Sequence, residues 1–448
     1  MITHMKRTVI AALLAVFAAL SFSSCVRDEE PVFDESASVR LQNALKNAQT
    51  VLVGAENGWR MFYYPDPDQA YGGYLYTMKF TQEDVEVWSD LFEGSVKSLY
   101  KMTTDSGPVL SFDTGNFNFH YFATPSGSQK NLYGESDRYQ ARKGDFEFLI
   151  ISSSPDEVVL KGKRSGNKIV MRPLSGSETP ESVAQAAASC GGSVFVSSFN
   201  GTIGSDDAYV SLKLGSRTAV LELTGEQYAE DETASAKVPY LYTENGLLFY
   251  NPVTLGPYTI NGFTWDVDTR KLTALSGDAA NVDLVGSLPP GWHDYADFLG
   301  NWTIKYGTGG ASSFSGITIK EDVYRESVII SGLSKVFDMK ATYDLGSGQI
   351  NLCSQAIGTQ GSYTVFACAW DTAVGSLTWD TNAGMFGQLS DDGNTITWSD
   401  NGGYSGLSIN AFITWYLNGT SSAGQAAAPW VWSNNSTQLA RWNSFVRQ

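Results

Sequence analysis

The feature that most limits the possible folds is a long succession of short segments in which apolar and polar residues alternate. These segments run from Trp59 to Trp415 and are separated by turns rich in Gly, Asn, Asp and Ser. Closely spaced strands with few helices between them favour antiparallel sheets that bend or close on themselves to protect their edges. The 44 glycines and the 13% aromatic content agree with this interpretation. We therefore expect a mainly β protein built from consecutive antiparallel domains, each a barrel or a strongly curved sheet.

Two stretches interrupt the strand pattern with helical spacing. The first, residues 36–52, repeats its apolar side chains on one helical face: Leu41, Leu45, Ala48 and Leu52. Gly54 is placed to end this helix. The second stretch, residues 178–189, follows Pro173 and a Ser- and Gly-rich connector. The sequence thus predicts one N-terminal helix that covers a β core and one short linking helix.

Composition shifts divide the 448 residues into five parts. These are a signal peptide (1–24), an acidic tether (25–35), an N-terminal helix plus antiparallel β domain (36–176), a second β segment (177–285) and a C-terminal β domain (292–448). The second segment is either a domain of its own or the completion of the first domain. Linker residues 278–291 precede the C-terminal domain.

Gly300-Asn301-Trp302, at the start of the C-terminal domain, resembles the Gly-x-Trp motif of lipocalin-like barrels. In those barrels the indole plugs one end. The many closely spaced strand segments that follow fit either a lipocalin-like barrel or a two-sheet sandwich.

The first residues have the pattern of a bacterial lipoprotein signal. A basic Lys6-Arg7 start precedes an apolar run over residues 9–20, which is too short to remain as a membrane span. Phe22-Ser23-Ser24-Cys25 resembles the lipobox, in which the Cys thiol is acylated and becomes the first residue of the mature chain. The alternative is an ordinary signal peptide with a coincidental cysteine. We expect the Cys25 thiol to be acylated with a fatty acid such as palmitate.

The charged residues indicate where the protein is located and which partners it can bind. The cluster Asp28-Glu29-Glu30 is similar to the export signal that sends Bacteroidetes-type lipoproteins to the outside of the outer membrane, although a solvated tether is the alternative. The resemblance implies an outer-membrane protein, lipid-anchored and facing the cell exterior. The formal net charge of −17, without a basic stripe, excludes nucleic acid as a partner.

The sequence carries few signals of catalysis. Histidine occurs only at positions 4, 120 and 293, so a three-His zinc site cannot be built. The common esterase, nucleotide and dinucleotide motifs do not occur. We therefore predict no catalytic residues and no cofactor. A glycoside hydrolase with two paired carboxylates stays open, because sequence cannot test the spacing of its acids.

Three cysteines follow the signal: Cys190, Cys353 and Cys368. A hairpin around Gln360-Gly361 would place Cys353 opposite Cys368. That register puts the pair in a hydrogen-bonded rung, whose wide Cα spacing suits a disulfide poorly. One disulfide with one thiol, or three buried free thiols, are the alternatives.

Four aspartates are weak calcium candidates: Asp66, Asp68, Asp391 and Asp392. Their loops lack the alternating oxygen ligands of a calcium-binding loop. The alternative is that they are turn residues.

Aromatic residues give the strongest positive signal. An apolar-Thr-Trp motif recurs, for example as Ile413-Thr414-Trp415, and three more tryptophans occupy the tail: Trp430, Trp432 and Trp442. Exposed aromatic rings on a β surface suit the apolar faces of sugars, so these three are the candidate ligand platform. Packing in a half-buried sheet is the alternative.

Several motifs in the same order resemble a Bacteroidetes outer-membrane lipoprotein family of unknown function. They include Tyr71-Gly72-Gly73-Tyr74, Gly144-Asp145-Phe146-Glu147-Phe148 and the stretch from Leu160 to Lys168. The resemblance implies a place near nutrient-uptake systems and no known activity. We therefore expect a non-enzymatic accessory that captures glycan or peptide for an outer-membrane importer. A surface glycoside hydrolase and a structural or adhesion subunit are the alternatives.

Overall fold

The computed structural model describes residues 35–105, 107–125, 142–278 and 280–448. The predicted signal peptide and the lipidation residue Cys25 lie outside these residues. The chain forms two compact units, which divide between Gln185 and Ala186. Three helices occur in the described part: α1 (Ala37–Gly54), α2 (Phe117–Ala123) and α3 (Pro180–Ser193).

The first unit contains one antiparallel sheet of nine strands. Its strands are β1 (Trp59–Tyr63), β2 (Tyr74–Phe80), β3 (Asp84–Ser89), β4 (Phe92–Leu99), β5 (Lys101–Thr103), β6 (Val109–Ser111), β7 (Glu147–Ser153), β8 (Val158–Gly162) and β9 (Lys168–Pro173). Their order across the sheet is β4-β3-β2-β1-β9-β8-β7-β6-β5.

This sheet is strongly curved, as the sequence predicted. Its two outermost strands, β4 and β5, are consecutive in the chain and are separated only by Tyr100. In a flat sheet with about 4.8 Å between strands, they would lie about 38 Å apart. Two residues of extended chain span at most about 7 Å, so the sheet must curl until its borders meet.

Helix α1 covers this curl. Ser36 caps it, because the Ser36 side chain accepts a hydrogen bond from the Val39 amide at 3.3 Å. Its apolar face buries Leu45, Ala48 and Leu52. The helix contacts β2, β5 and β7, strands that are far apart in the sheet order and near each other only because the sheet is curved. The predicted N-terminal helix is confirmed, and α3 confirms the linking helix.

Residues 117–122 lie within the succession of strand segments predicted between Trp59 and Trp415, and that prediction is wrong here because they form helix α2. The Asn116 side chain caps it by accepting from the Asn118 amide at 3.1 Å. Asn118, only 1% exposed, donates to the Val87 carbonyl and accepts from the Ser89 hydroxyl. Phe117 and Phe119 alternate with polar residues as they would in a strand, but Phe117, Phe119 and Phe122 are all buried. With burial on all sides, alternation no longer distinguishes a strand from a helix.

The second unit begins with a closed barrel of eight strands. They are β10 (Ser198–Ile203), β11 (Asp206–Lys213), β12 (Thr218–Leu223), β13 (Ser235–Thr243), β14 (Gly246–Leu255), β15 (Tyr258–Asp266), β16 (Lys271–Ala274) and β17 (Val282–Gly286). Strand β10 pairs with β17 and closes the ring. These eight strands close on one another, so the second β segment builds a complete barrel of its own.

A second closed barrel follows, with a side sheet attached to it. The barrel strands are β18 (Gly300–Tyr306), β19 (Ser312–Val323), β20 (Ser327–Ser331), β21 (Met339–Asp344), β22 (Gln349–Cys353), β26 (Gly384–Leu389), β27 (Thr395–Asp400) and β31 (Trp442–Arg447). Two insertions form the side sheet: β23 (Gln355–Gln360), β24 (Tyr363–Asp371), β25 (Ser376–Thr378), β28 (Ala411–Asn418), β29 (Ser421–Gln425) and β30 (Gln438–Leu439).

Trp302 supports the barrel interpretation over the sandwich. It is fully buried at the start of β18 and donates its indole N–H to the Phe298 carbonyl at 3.1 Å. The Arg447 guanidinium lies 4.3 Å from the ring centroid. The mainly β fold with barrel-like and curved sheets is thus confirmed. Among the described helices, none has the length and apolar character needed to cross a membrane.

Candidate functional site

The predicted tryptophan platform does not form in the tail. Trp432 and Trp442 are 0% and 5% exposed and belong to the core of the C-terminal barrel. Trp430 is partly buried and stacks on Phe337 with ring centroids 6.4 Å apart. The reason is topological: Trp442 begins β31, which closes the barrel between β27 and β18, and Trp432 forms a β-bridge with Ser334. The prediction that these three tryptophans form an exposed surface is wrong for Trp432 and Trp442.

The calcium candidates have the hydrogen bonds of turn residues. The Asp66 carboxylate accepts the amide N–H of Asp68 at 3.0 Å and that of Ala70 at 3.3 Å. The Asp392 carboxylate accepts from the Ser390 hydroxyl and the Asn394 amide, and Asp68 and Asp391 are exposed. Within the described ranges, no three metal-ligating side chains come together.

Cys190, Cys353 and Cys368 are all free thiols. Cys353 lies on β22 opposite Gly384, and Cys368 lies on β24 opposite Ile413, so the predicted facing pair does not occur. Burial raises the pKa of Cys190 to about 11 and that of Cys368 to about 12. These two thiols therefore hold little thiolate at neutral pH and have the character of structural cysteines.

The pKa of the Asp145 carboxyl is raised above its usual value, and burial is the main cause. A raised carboxyl pKa is what a general acid needs. The Asp145 carboxylate, however, accepts the amide N–H of Arg164 at 2.5 Å and that of Ser165 at 3.2 and 3.3 Å. Both oxygens are thus committed to one turn, and the residue is 2% exposed.

The surroundings of Asp145 explain two of the sequence motifs as structural. The Tyr63 hydroxyl donates to the Asp145 carbonyl at 3.1 Å and accepts from the Asp145 amide at 2.8 Å. A Cβ on Gly162 would collide with the Asp145 carboxylate, and a Cβ on Gly144 would lie 2.5 Å from the Tyr63 hydroxyl oxygen. The two motifs therefore contact each other where two turns are held together. This geometry does not favour the glycoside hydrolase with paired carboxylates.

A polar groove of about 450 Å³ lies on the C-terminal barrel. Its lining is hydroxyl, amide, thiol and one ammonium group: Lys340, Thr342, Asn351, Cys353, Ser354, Gln355, Thr381 and Asn382. Much of this polarity is already used within the protein. The Gln355 side chain, for example, accepts from the Lys340 amide and donates to the Lys340 carbonyl, each at 2.8 Å. The groove is thus largely self-paired and offers few free groups to a ligand.

The side sheet has a surface that fits a ligand better. Phe366 and Trp370 on β24 and Trp415 on β28 point to the same side of the sheet, because Phe366 pairs with Trp415 and the strands alternate. All three rings are partly exposed. The opposite side of the same strands packs into the barrel core through Ala367, Ala369 and Phe412. We call Phe366, Trp370 and Trp415 the aromatic face.

The aromatic face is uncharged. The Trp415 indole donates to the Ser422 hydroxyl at 2.8 Å, which draws the ring over the neighbouring strand β29. On the same side of these strands, Cys368 and Ile413 are 0% and 3% exposed, so neighbouring side chains cover them. No charged residue points to this side from β24, β25 or β28.

Sequence reasoning missed this surface, although one signal indicated it. In Ile413-Thr414-Trp415 the threonine is fully buried, which turns the tryptophan outward. In Ile396-Thr397-Trp398 the threonine is exposed and the tryptophan is buried. The same motif thus has opposite orientations, and only the packing side of each strand decides which one presents its ring.

The fold and this surface define a mainly β protein, with two closed barrels and one curved sheet, that presents an aromatic face beside its C-terminal barrel. A family described as a domain of unknown function (DUF4302) matches residues 29–267. Because this match covers more than half of the chain, the protein belongs to that family. A second family described as a domain of unknown function (DUF4987) matches residues 276–415. No curated protein matches the sequence.

Proposed function

We propose that this protein is a surface lipoprotein that captures an uncharged glycan through the aromatic face. The observation that carries the proposal is the grouping of Phe366, Trp370 and Trp415 on one solvent-facing side of the side sheet. Aromatic rings stack on the apolar C–H faces of sugars, and paired strands hold such rings at fixed positions.

Charge supports a neutral ligand. The chain has a formal net charge of −17, which repels acidic polymers. The aromatic face has no basic side chain that would offset that repulsion. An uncharged polysaccharide meets neither obstacle.

Strand pairing favours a glycan over a peptide on this face. An extended peptide is usually held by main-chain hydrogen bonds to an exposed sheet edge. Strands β24 and β28 are interior strands with partners on both sides, so their main-chain groups are already paired. The face therefore offers rings rather than backbone groups.

Trp415→Ala is expected to weaken binding of a neutral polysaccharide about tenfold, equivalent to about 1.4 kcal/mol, because a stacking ring is lost. Affinity electrophoresis against neutral plant and microbial polysaccharides, followed by calorimetry on the best binder, measures this. Tyr324→Ala is the matched control, since Tyr324 is also an exposed aromatic residue (56%) but lies at the turn between β19 and β20. Equal binding by wild type and Trp415→Ala, or no binding to any polysaccharide, would contradict the proposal.

The proposed location is the outer membrane, where a lipid anchor on Cys25 holds the protein and an outer-membrane importer is its partner. The lipobox-like Phe22-Ser23-Ser24-Cys25 supports the anchor, and the following acidic cluster supports exposure to the exterior. Several acyl chains, at about 0.8 kcal/mol per buried methylene, hold a protein stably on a bilayer. A capture protein anchored there would concentrate polymer beside an importer.

The anchor has a direct test. Radiolabelled palmitate should label the wild-type protein in cells, and Cys25→Ala should remove the label because no acceptor thiol remains at the lipobox. Cys353→Ala should keep full labelling and is the control for loss of an unrelated thiol. Labelling that survives Cys25→Ala would place the acyl group elsewhere and remove the basis of the proposed location.

A further inference from the structure

We infer that the aromatic face binds a linear chain of at least three sugar residues laid along β24, and this inference rests on the proposed glycan function. Phe366 and Trp370 lie on the same side of β24, four positions apart. At about 3.3 Å per strand residue their Cα atoms are about 13 Å apart. Stacked six-membered rings occupy roughly 5 Å each, so no single sugar reaches both ends.

The two ends of the face differ in what they offer. At one end Phe366 and Trp415 are cross-strand partners, and the Trp415 ring extends over β29, so this end offers two aromatic rings side by side on neighbouring strands. At the other end Trp370 pairs with Leu377 of β25, which is also partly exposed. The Trp370 indole N–H is not buried and has no hydrogen-bond partner among the described residues, so a sugar hydroxyl can accept it.

The middle of the face explains why the ends must act together. Cys368 and Ile413 separate the two stacking positions and are almost completely buried. Because neighbouring side chains cover them, they present no hydrogen-bonding group to a ligand. A sugar above them gains little by itself but links the sugars at the two ends. Linking makes the second stacking contact intramolecular, which raises affinity without any new kind of contact.

The inference predicts a threshold in ligand length. Malto- and cello-oligosaccharides from disaccharide to hexasaccharide are the probes, measured by calorimetry on the full chain. Affinity should rise at least tenfold between the disaccharide and the tetrasaccharide of the series that binds, and then change little. Trp370→Ala should lower the affinity for the hexasaccharide to that for the disaccharide and leave the disaccharide affinity unchanged.

Each outcome separates the two hypotheses. If the disaccharide binds as tightly as the hexasaccharide, the inference of a spanning chain is overturned and glycan binding stands. If Trp370→Ala weakens all lengths equally, the two ends do not act as separate positions, and the inference also fails. If no oligosaccharide or polysaccharide binds, the proposed function fails with it. An unchanged melting temperature for Trp370→Ala establishes that this variant is folded. Unchanged binding by Tyr324→Ala establishes that loss of an exposed aromatic ring elsewhere has no effect.

Discussion

Replacing Trp432 with alanine is expected to lower the free energy of unfolding of the C-terminal barrel by about 4 kcal/mol, as large-to-small changes of buried tryptophan do. Trp432 is fully buried, and its indole donates to the Thr437 carbonyl at 3.1 Å. It also makes edge contacts with Phe337 and Trp442. Alanine leaves a cavity among these rings, while the Thr437 carbonyl keeps the Thr414 amide as its donor.

Urea denaturation followed by tryptophan fluorescence measures this loss. Trp415→Ala is the matched control: it removes the same side chain from a partly exposed position, so it should cost about 1 kcal/mol or less. The pair distinguishes core packing from ligand contact, because Trp432→Ala acts on stability and Trp415→Ala on binding. A midpoint for Trp432→Ala close to that of the wild type would contradict the core position of this residue.

Replacing Asp145 with alanine is expected to destabilise the N-terminal unit by about 3 kcal/mol, because a buried donor left without an acceptor costs about 1–3 kcal/mol. The change leaves the amides of Arg164 and Ser165 without their carboxylate acceptor. It also removes the group against which Gly162 packs. Thermal and urea unfolding measure the effect.

Asp113→Ala is the control for Asp145→Ala. Asp113 pairs with Lys101 at 2.8 Å on the surface, where such pairs contribute at most about 1 kcal/mol.

The dependence of the free energy of unfolding on acidic pH is a second measurement for Asp145→Ala. Because burial raises the pKa of Asp145, its contribution to stability is fully present below the unfolded pKa of about 3.9 and decreases as pH rises through the folded pKa. The loss caused by Asp145→Ala should therefore be larger near pH 4 than at pH 7, and the reverse order would contradict the raised pKa.

The elements that local sequence determines were predicted well. Helix α1 has both a repeating apolar face and the cap residue Ser36, so its boundaries follow from adjacent residues. The start of the C-terminal barrel was indicated by Gly300 and Trp302, whose close spacing is again local. Strand segments separated by Gly-rich turns were likewise recognisable, because turn chemistry is a property of a few residues.

The errors concern burial that depends on distant partners. Residues 117–122 alternate like a strand, but they form a helix in an aromatic core that belongs to strands far away in the chain. The tail tryptophans became core residues because β31 pairs with β18, a pairing that joins Trp302 to Arg447. The aromatic face arises in the same way, since Phe366 meets Trp415 only when β24 pairs with β28. A single sequence contains no direct signal for such long-range pairings.

The curled sheet of the first unit also bears on self-association. Tyr100 joins its two border strands end to end, so the borders converge at this residue, and one of them, β5, is only three residues long. The Asn116 side chain donates to the Val96 carbonyl and the Thr114 hydroxyl to the Leu99 carbonyl, so further groups of the β4 border are occupied. Growth of amyloid-like fibrils begins at unpaired borders. A short border strand and a border with occupied carbonyls therefore limit intermolecular strand addition to this unit, even where many copies are crowded together.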